Sequence, residues 1–152
     1  MPDAVRVSGE AAEVARAEAQ AVMAAISDGR RRSRLADLVA AVDEGQIGGE
    51  DADALGELLE LGLQTGRLRS IYGPGGEQAA LGLFRRLPHG KELSRSAQEL
   101  NTALEALSGE RLDRVSVHAA GPGEYGVTIS TESIELTLRL GRSGARLSAI
   151  GT

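Results

Sequence analysis

The chain has 152 residues, of which 41% are apolar and only 2% aromatic, and it carries a net charge of −5. That length fits one medium domain, or a helical half joined to a small sheet half. The absence of cysteine excludes disulfides, thiolate nucleophiles and cysteine-based zinc or iron–sulfur sites, and no run approaches the ~20 apolar residues of a membrane span.

Residues 1–8 read as a flexible N-terminus. They lack the basic start and apolar run of a signal peptide, so a cytoplasmic location is the expectation. Residues 9–28 carry Ala15, Ala19, Val22 and Ile26 at helical spacing, an Ala-rich stripe that suits close helix packing. A second helix is predicted over 33–44, with Ser33 as its cap and Leu35, Leu38, Val39 and Val42 on one face. Gly45 to Gly49 interrupts the pattern. A third helix follows over 50–65, with Glu50, Asp51 and Asp53 at the positive end of its dipole and Leu55, Leu58, Leu59 and Leu63 as its apolar face. The short connections favour antiparallel neighbours, so residues 9–66 read as a small bundle.

Residues 67–91 read as a connector with a short helix over 77–87, stopped by Pro88. A fifth helix is predicted over 94–107, with Leu93, Ala97, Leu100, Leu104 and Leu107 on one stripe. Four alternating runs then follow, at 115–119, 125–129, 134–140 and 145–149, separated by turns short enough for hairpins. Val115, Val117, Ala119, Tyr125, Val127 and Ile129 would share one face with the alternate residues of 134–140 and with Ala145, Leu147 and Ala149. The opposite face carries Ser116, His118, Thr128, Glu135, Thr137 and Arg139 and should be wet. The predicted fold class is therefore α+β: an N-terminal helical bundle, about five helices in all, followed by a four-stranded antiparallel β-meander covered by a helix over 92–152. Phe84, Tyr72 and Tyr125 are the only aromatic residues. The core must be aliphatic, with roughly 1.5–3 kcal/mol for each fully buried Leu, Ile or Val, and such a core gains from a partner subunit.

The strongest candidate for chemistry is the glycine-rich turn Gly73-Pro74-Gly75-Gly76 before a helix. Gly73, Gly75 and Gly76 could offer backbone N–H groups to an anion, helped by Arg69. The turn lacks the Gly-Lys-Ser/Thr ending of a phosphate loop, and Glu77 stands where an anion would be repelled. The one basic cluster, Arg30, Arg31, Arg32 and Arg34, could touch nucleic acid, but no aromatic residue lies near it to stack on bases. Residues 1–66 hold 6 arginines against 13 carboxylates, which also argues against a nucleic-acid partner. The acidic stretch at 45–53 has too few ligands for a calcium loop; His89, in a loop after Pro88, and His118, on the polar strand face where Glu135 or Arg139 could be neighbours, read as surface histidines rather than as catalytic or metal-binding groups. No catalytic residue, metal or cofactor is expected. The functional expectation is a non-catalytic accessory, scaffold or assembly protein that binds another protein or itself.

Overall fold

The computed structural model describes residues 3–142 and 144–152; Met1 and Pro2 of the expected loose terminus, and Ser143 of the last turn, lie outside the described residues. Among the described residues, five helices precede a four-stranded antiparallel sheet, the α+β architecture that the patterning predicts. The chain divides into two compact units, Met1–Lys91 and Glu92–Thr152.

The first unit contains α1 (Gly9–Ala25), α2 (Gly29–Glu44), α3 (Gly49–Gln64) and α4 (Arg67–Arg86). α1 packs on α2 and α4, and α3 packs on α4 and α2. The alanine stripe explains how α1 can touch both neighbours: Ala15 and Ala19 are fully buried, and their small side chains let backbones approach. Leu38, Leu55, Leu59, Leu68 and Leu87 fill the space between, all at 0% exposure.

Four local features depart from the sequence reading, each for a physical reason. α2 starts at Gly29, not at Ser33, because Asp28 caps it: one carboxylate oxygen accepts the backbone N–H groups of Arg30 and Arg31 at 2.9 and 3.4 Å. α1 ends correspondingly early, at Ala25. Residues 67–91, expected as a connector with a short helix, are helical almost throughout. α4 runs from Arg67 to Arg86 and is broken only at Gly73 (φ 75°, ψ −179°), a backbone conformation that side chains disfavour. Pro74 and Pro88 each follow a non-helical residue and so open helical segments rather than stopping them, at a position where the missing N–H is not needed. The fourth departure is the N-terminus. Val5–Arg6 (β1) pairs antiparallel with Gln46–Ile47 (β2), Val7 is buried, and its N–H bonds to Gly45 O at 3.0 Å. Arg86 also donates to Arg6 O at 2.8 Å.

α5 (Pro88–Leu104) begins in the first unit, and its residues from Glu92 onward belong to the second. A single 3-10 turn, Glu105–Leu107, leads to β3 (Leu112–Gly121), β4 (Glu124–Thr131), β5 (Glu135–Gly141) and β6 (Gly144–Gly151). The order is β3-β4-β5-β6, a meander. The register sets Val115, Ile129, Leu136 and Ile150 in one row, and Val117, Val127, Leu138 and Leu147 in the next. Ala149 therefore does not join the apolar face. A register shift between Thr137 and Leu138 leaves Ser148 as an extra residue on β6, so Ala149 pairs with Thr137 and Ile150 takes the apolar row. On the polar face, Gly126 is paired with His118, and a Cβ there would overlap the imidazole ring.

The cover is narrow. Among the described residues of the second unit, the buried apolar side chains are Leu100 on α5 and Leu136 and Leu138 on β5. α5 touches the sheet at the end away from Leu136: Leu93 Cδ2 would stand 3.0 Å from a Cβ on Gly144, which pairs with Gly141, whereas Leu136 pairs with Ile150. The helix is turned so that Ser96 is half-buried and Ala97 is exposed, one residue off the predicted stripe.

Candidate functional site

The sheet carries the first candidate surface. Its alternating sequence directs one set of side chains to the apolar side, where among the described residues only β5 carries buried apolar side chains. On the edge strand β3, Val115 and Val117 are 54% and 65% exposed; on the other edge strand, Ile150 is 60% exposed, and Tyr125 in between is 54% exposed. Apolar side chains exposed in adjacent rows form a patch, unlike the scattered single residues of an ordinary surface. Among the described residues, both outer edges also leave backbone N–H and C=O groups without a strand partner. Bulges interrupt β3 near each end, between Leu112 and Arg114 and between Ala119 and Gly121, and leave residues 114–119 as its regular stretch.

The sequence-predicted anion site looks different once built. Gly73 makes the break in α4, and Gly75 and Gly76 lie in the first turn of the segment after it. Two protein carboxylates already occupy that neighbourhood: Glu10 Oε1 lies 3.5 Å from the place where a Cβ of Gly75 would stand, and Glu77 pairs with Arg69 at 3.6 Å. An external anion would have to displace them, and Arg69 is already engaged.

The four arginines of the basic cluster are not at a junction between helices but in the first turns of α2, all exposed. Arg32 donates to Ile26 O at 2.6 Å and so satisfies the end of α1. Arg31 and Arg34 line a groove between α2 and α3. His118 stacks over Gly126 on the polar face, and His89 opens α5 with Nδ1 3.6 Å from Glu60.

Sequence reasoning missed two constellations. Glu18, on the buried face of α1, is 3% exposed and accepts from Arg67 Nε at 3.0 Å and Tyr72 Oη at 2.8 Å. Burial and the bond to Glu18 push Tyr72 up to about 12, and Glu18 in turn raises Arg67 further above its usual value. This is a polar staple between α1 and α4, closed to solvent on the Glu18 side. A charged residue within the Ala-rich stretch was the only signal for it.

The second is a pair of contiguous depressions between α2 and α3. One, of about 320 Å³, is lined by Asp37, Glu50, Asp51, Asp53 and Glu57 with Arg34. The other, of about 290 Å³, is apolar, with Val22, Leu35, Leu58 and Leu61 beside Arg31 and Arg34. The carboxylates crowd: Asp51 is raised above the usual carboxylate value by burial, then by Asp37 and Glu50. Among the described residues, no three His, Asp or Glu side chains come together as a metal site, and no helix is long and apolar enough to cross a membrane. Set against known proteins, the chain matches no protein family, no curated protein and no solved structure.

Proposed function

We propose that this chain is a non-catalytic accessory or assembly protein, and that it binds another protein through the apolar face of its C-terminal sheet. The observation that carries the reading is the width of that face relative to its cover. Leu136 and Leu138 are sealed, while Val115, Val117, Tyr125 and Ile150 in the flanking positions stand open. A partner that closes the flanks would remove apolar surface from water at about 25 cal/mol per Å², although the costs of association reduce what emerges as affinity. The free edge of β3 offers the same partner a strand to pair with. A cytoplasmic location belongs to the same reading, and the cysteine-free composition fits a reducing compartment.

The test compares the wild-type chain with Val117→Asp and Ile150→Asp as baits in the native organism, followed by reconstitution with the purified partner. Both positions are exposed, so each variant should keep its fold, verified by circular dichroism. The expected result is a partner that binds the wild-type chain directly and is lost with either variant. Equal binding by all three baits would remove the sheet face from consideration.

A further inference from the structure

The groove between α2 and α3 carries charges of both signs that form no ion pair among the described residues. α2 and α3 run antiparallel along it, since Arg31 lies near Leu58 and Leu61 while Asp37 lies near Glu50 and Asp53. One end is therefore basic and apolar, with Arg31, Val22 and Leu61, and Leu61 is 62% exposed. The other end is acidic, with Asp37, Glu50, Asp51 and Asp53. Arg34, Ala54 and Glu57 line both depressions and mark the middle. Among the described residues, neither these two arginines nor these five carboxylates form an ion pair. Elsewhere in the same unit Arg16, Arg67 and Arg69 each hold a carboxylate.

We infer that this groove is the interface between two copies of the chain, related by a two-fold axis that crosses it near Ala54 and Glu57. A two-fold contact uses the same patch on both subunits, so the patch must complement itself. A surface that is basic at one end and acidic at the other does so under a half-turn: the Arg31 end of each copy meets the Asp51 and Asp53 end of its mate, with Arg34 nearer the axis. Ala54, near the axis, meets its own counterpart. Pairing supplies the cations that the crowded acids lack. The contact is separate from the sheet face and does not depend on it.

The absence of native cysteine makes a direct test available. Glu57→Cys places a thiol near the proposed axis, and oxidation should join two copies quickly, whereas Glu13→Cys, exposed on α1, should stay uncross-linked. Sedimentation velocity then follows two charge-reversed proteins, Arg31→Glu with Arg34→Glu, and Asp51→Arg with Asp53→Arg. Each should self-associate at least about tenfold more weakly than wild type, because like charges now face one another. Mixing the two should restore a dimer, since every reversed contact becomes attractive in the mixed pair. Wild-type association should also weaken as salt is raised. A wild-type protein that is monomeric at low salt would overturn the inference. So would a dimer indifferent to both reversals, or cross-linking no faster for Glu57→Cys than for the α1 control. The sheet variant Val117→Asp should leave this dimer intact, which separates the two surfaces.

Discussion

The two units are stabilised in different ways. Of the nine largest fully buried side chains among the described residues, eight lie in Met1–Lys91 and only Leu136 lies in Glu92–Thr152. The first unit holds itself together with an aliphatic interior, a side-chain cap on α2 and a buried carboxylate staple. The second has four strands in an antiparallel ladder interrupted by bulges, and among its described strand residues only Leu136 and Leu138 of the apolar face are buried. Backbone pairing fixes a sheet's register without requiring that its side chains be covered. A sheet can thus be fully formed and still carry apolar surface that only another molecule can remove from water.

The contrast can be broken at its strongest point first. Leu55→Ala empties a fully buried site in α3 and should cost about 2–5 kcal/mol in urea unfolding. Next, Tyr72→Phe removes a hydrogen bond to the Glu18 carboxylate, and a loss of roughly 1.5–3 kcal/mol is expected. The same residue gives a pH signature. Its phenol is raised from 10.0 to about 12 in the folded protein, by burial and then by Glu18. A raised phenol favours the protonated folded state, so its contribution is complete below pH 10 and disappears as pH climbs through about 12. The alkaline decline in stability should be shallower in Tyr72→Phe, and phenolate absorbance should show the late titration directly. Asp28→Ala removes the cap of α2 and should cost about 1 kcal/mol. At the bottom of the scale, Val117→Thr on the open flank of the sheet should change stability by no more than about 0.5 kcal/mol. A large loss there would mean that the flank is part of the fold's own interior, and the contrast between the units would collapse.

How much of this was legible beforehand follows from which forces are local. The four strands and their turns were readable because side chains alternate with period two and the hairpins are short. The exception, Ala149, shows the limit: Ala145, Leu147 and Ala149 alternate without a break, and the extra residue at Ser148 comes to light only through the pairing with β5. Ile150, out of phase and apolar, was the one available hint. The bundle helices were readable from their stripes, but their ends were not, because Asp28 and Ser33 both look like caps and only the fold chooses. Residues 67–76 resisted because glycine and proline usually announce a loop; here Gly73 alone leaves the helix. The surfaces were the least legible. The Glu18 staple joins residues 49 and 54 positions apart, and the α2–α3 groove exists only once two helices are laid side by side. The arginines were visible as a basic cluster, but the acids opposite them belong to another helix.

The two tyrosines have a practical consequence. Tyr72, hydrogen-bonded to a carboxylate, sits in the first unit, and Tyr125, open to water, sits in the second, while tryptophan is absent altogether. Each half of the molecule thus comes with its own intrinsic optical reporter. Replacing one phenol at a time would let ordinary fluorescence follow docking at the sheet without interference from the helices, and melting of the helices without interference from the sheet.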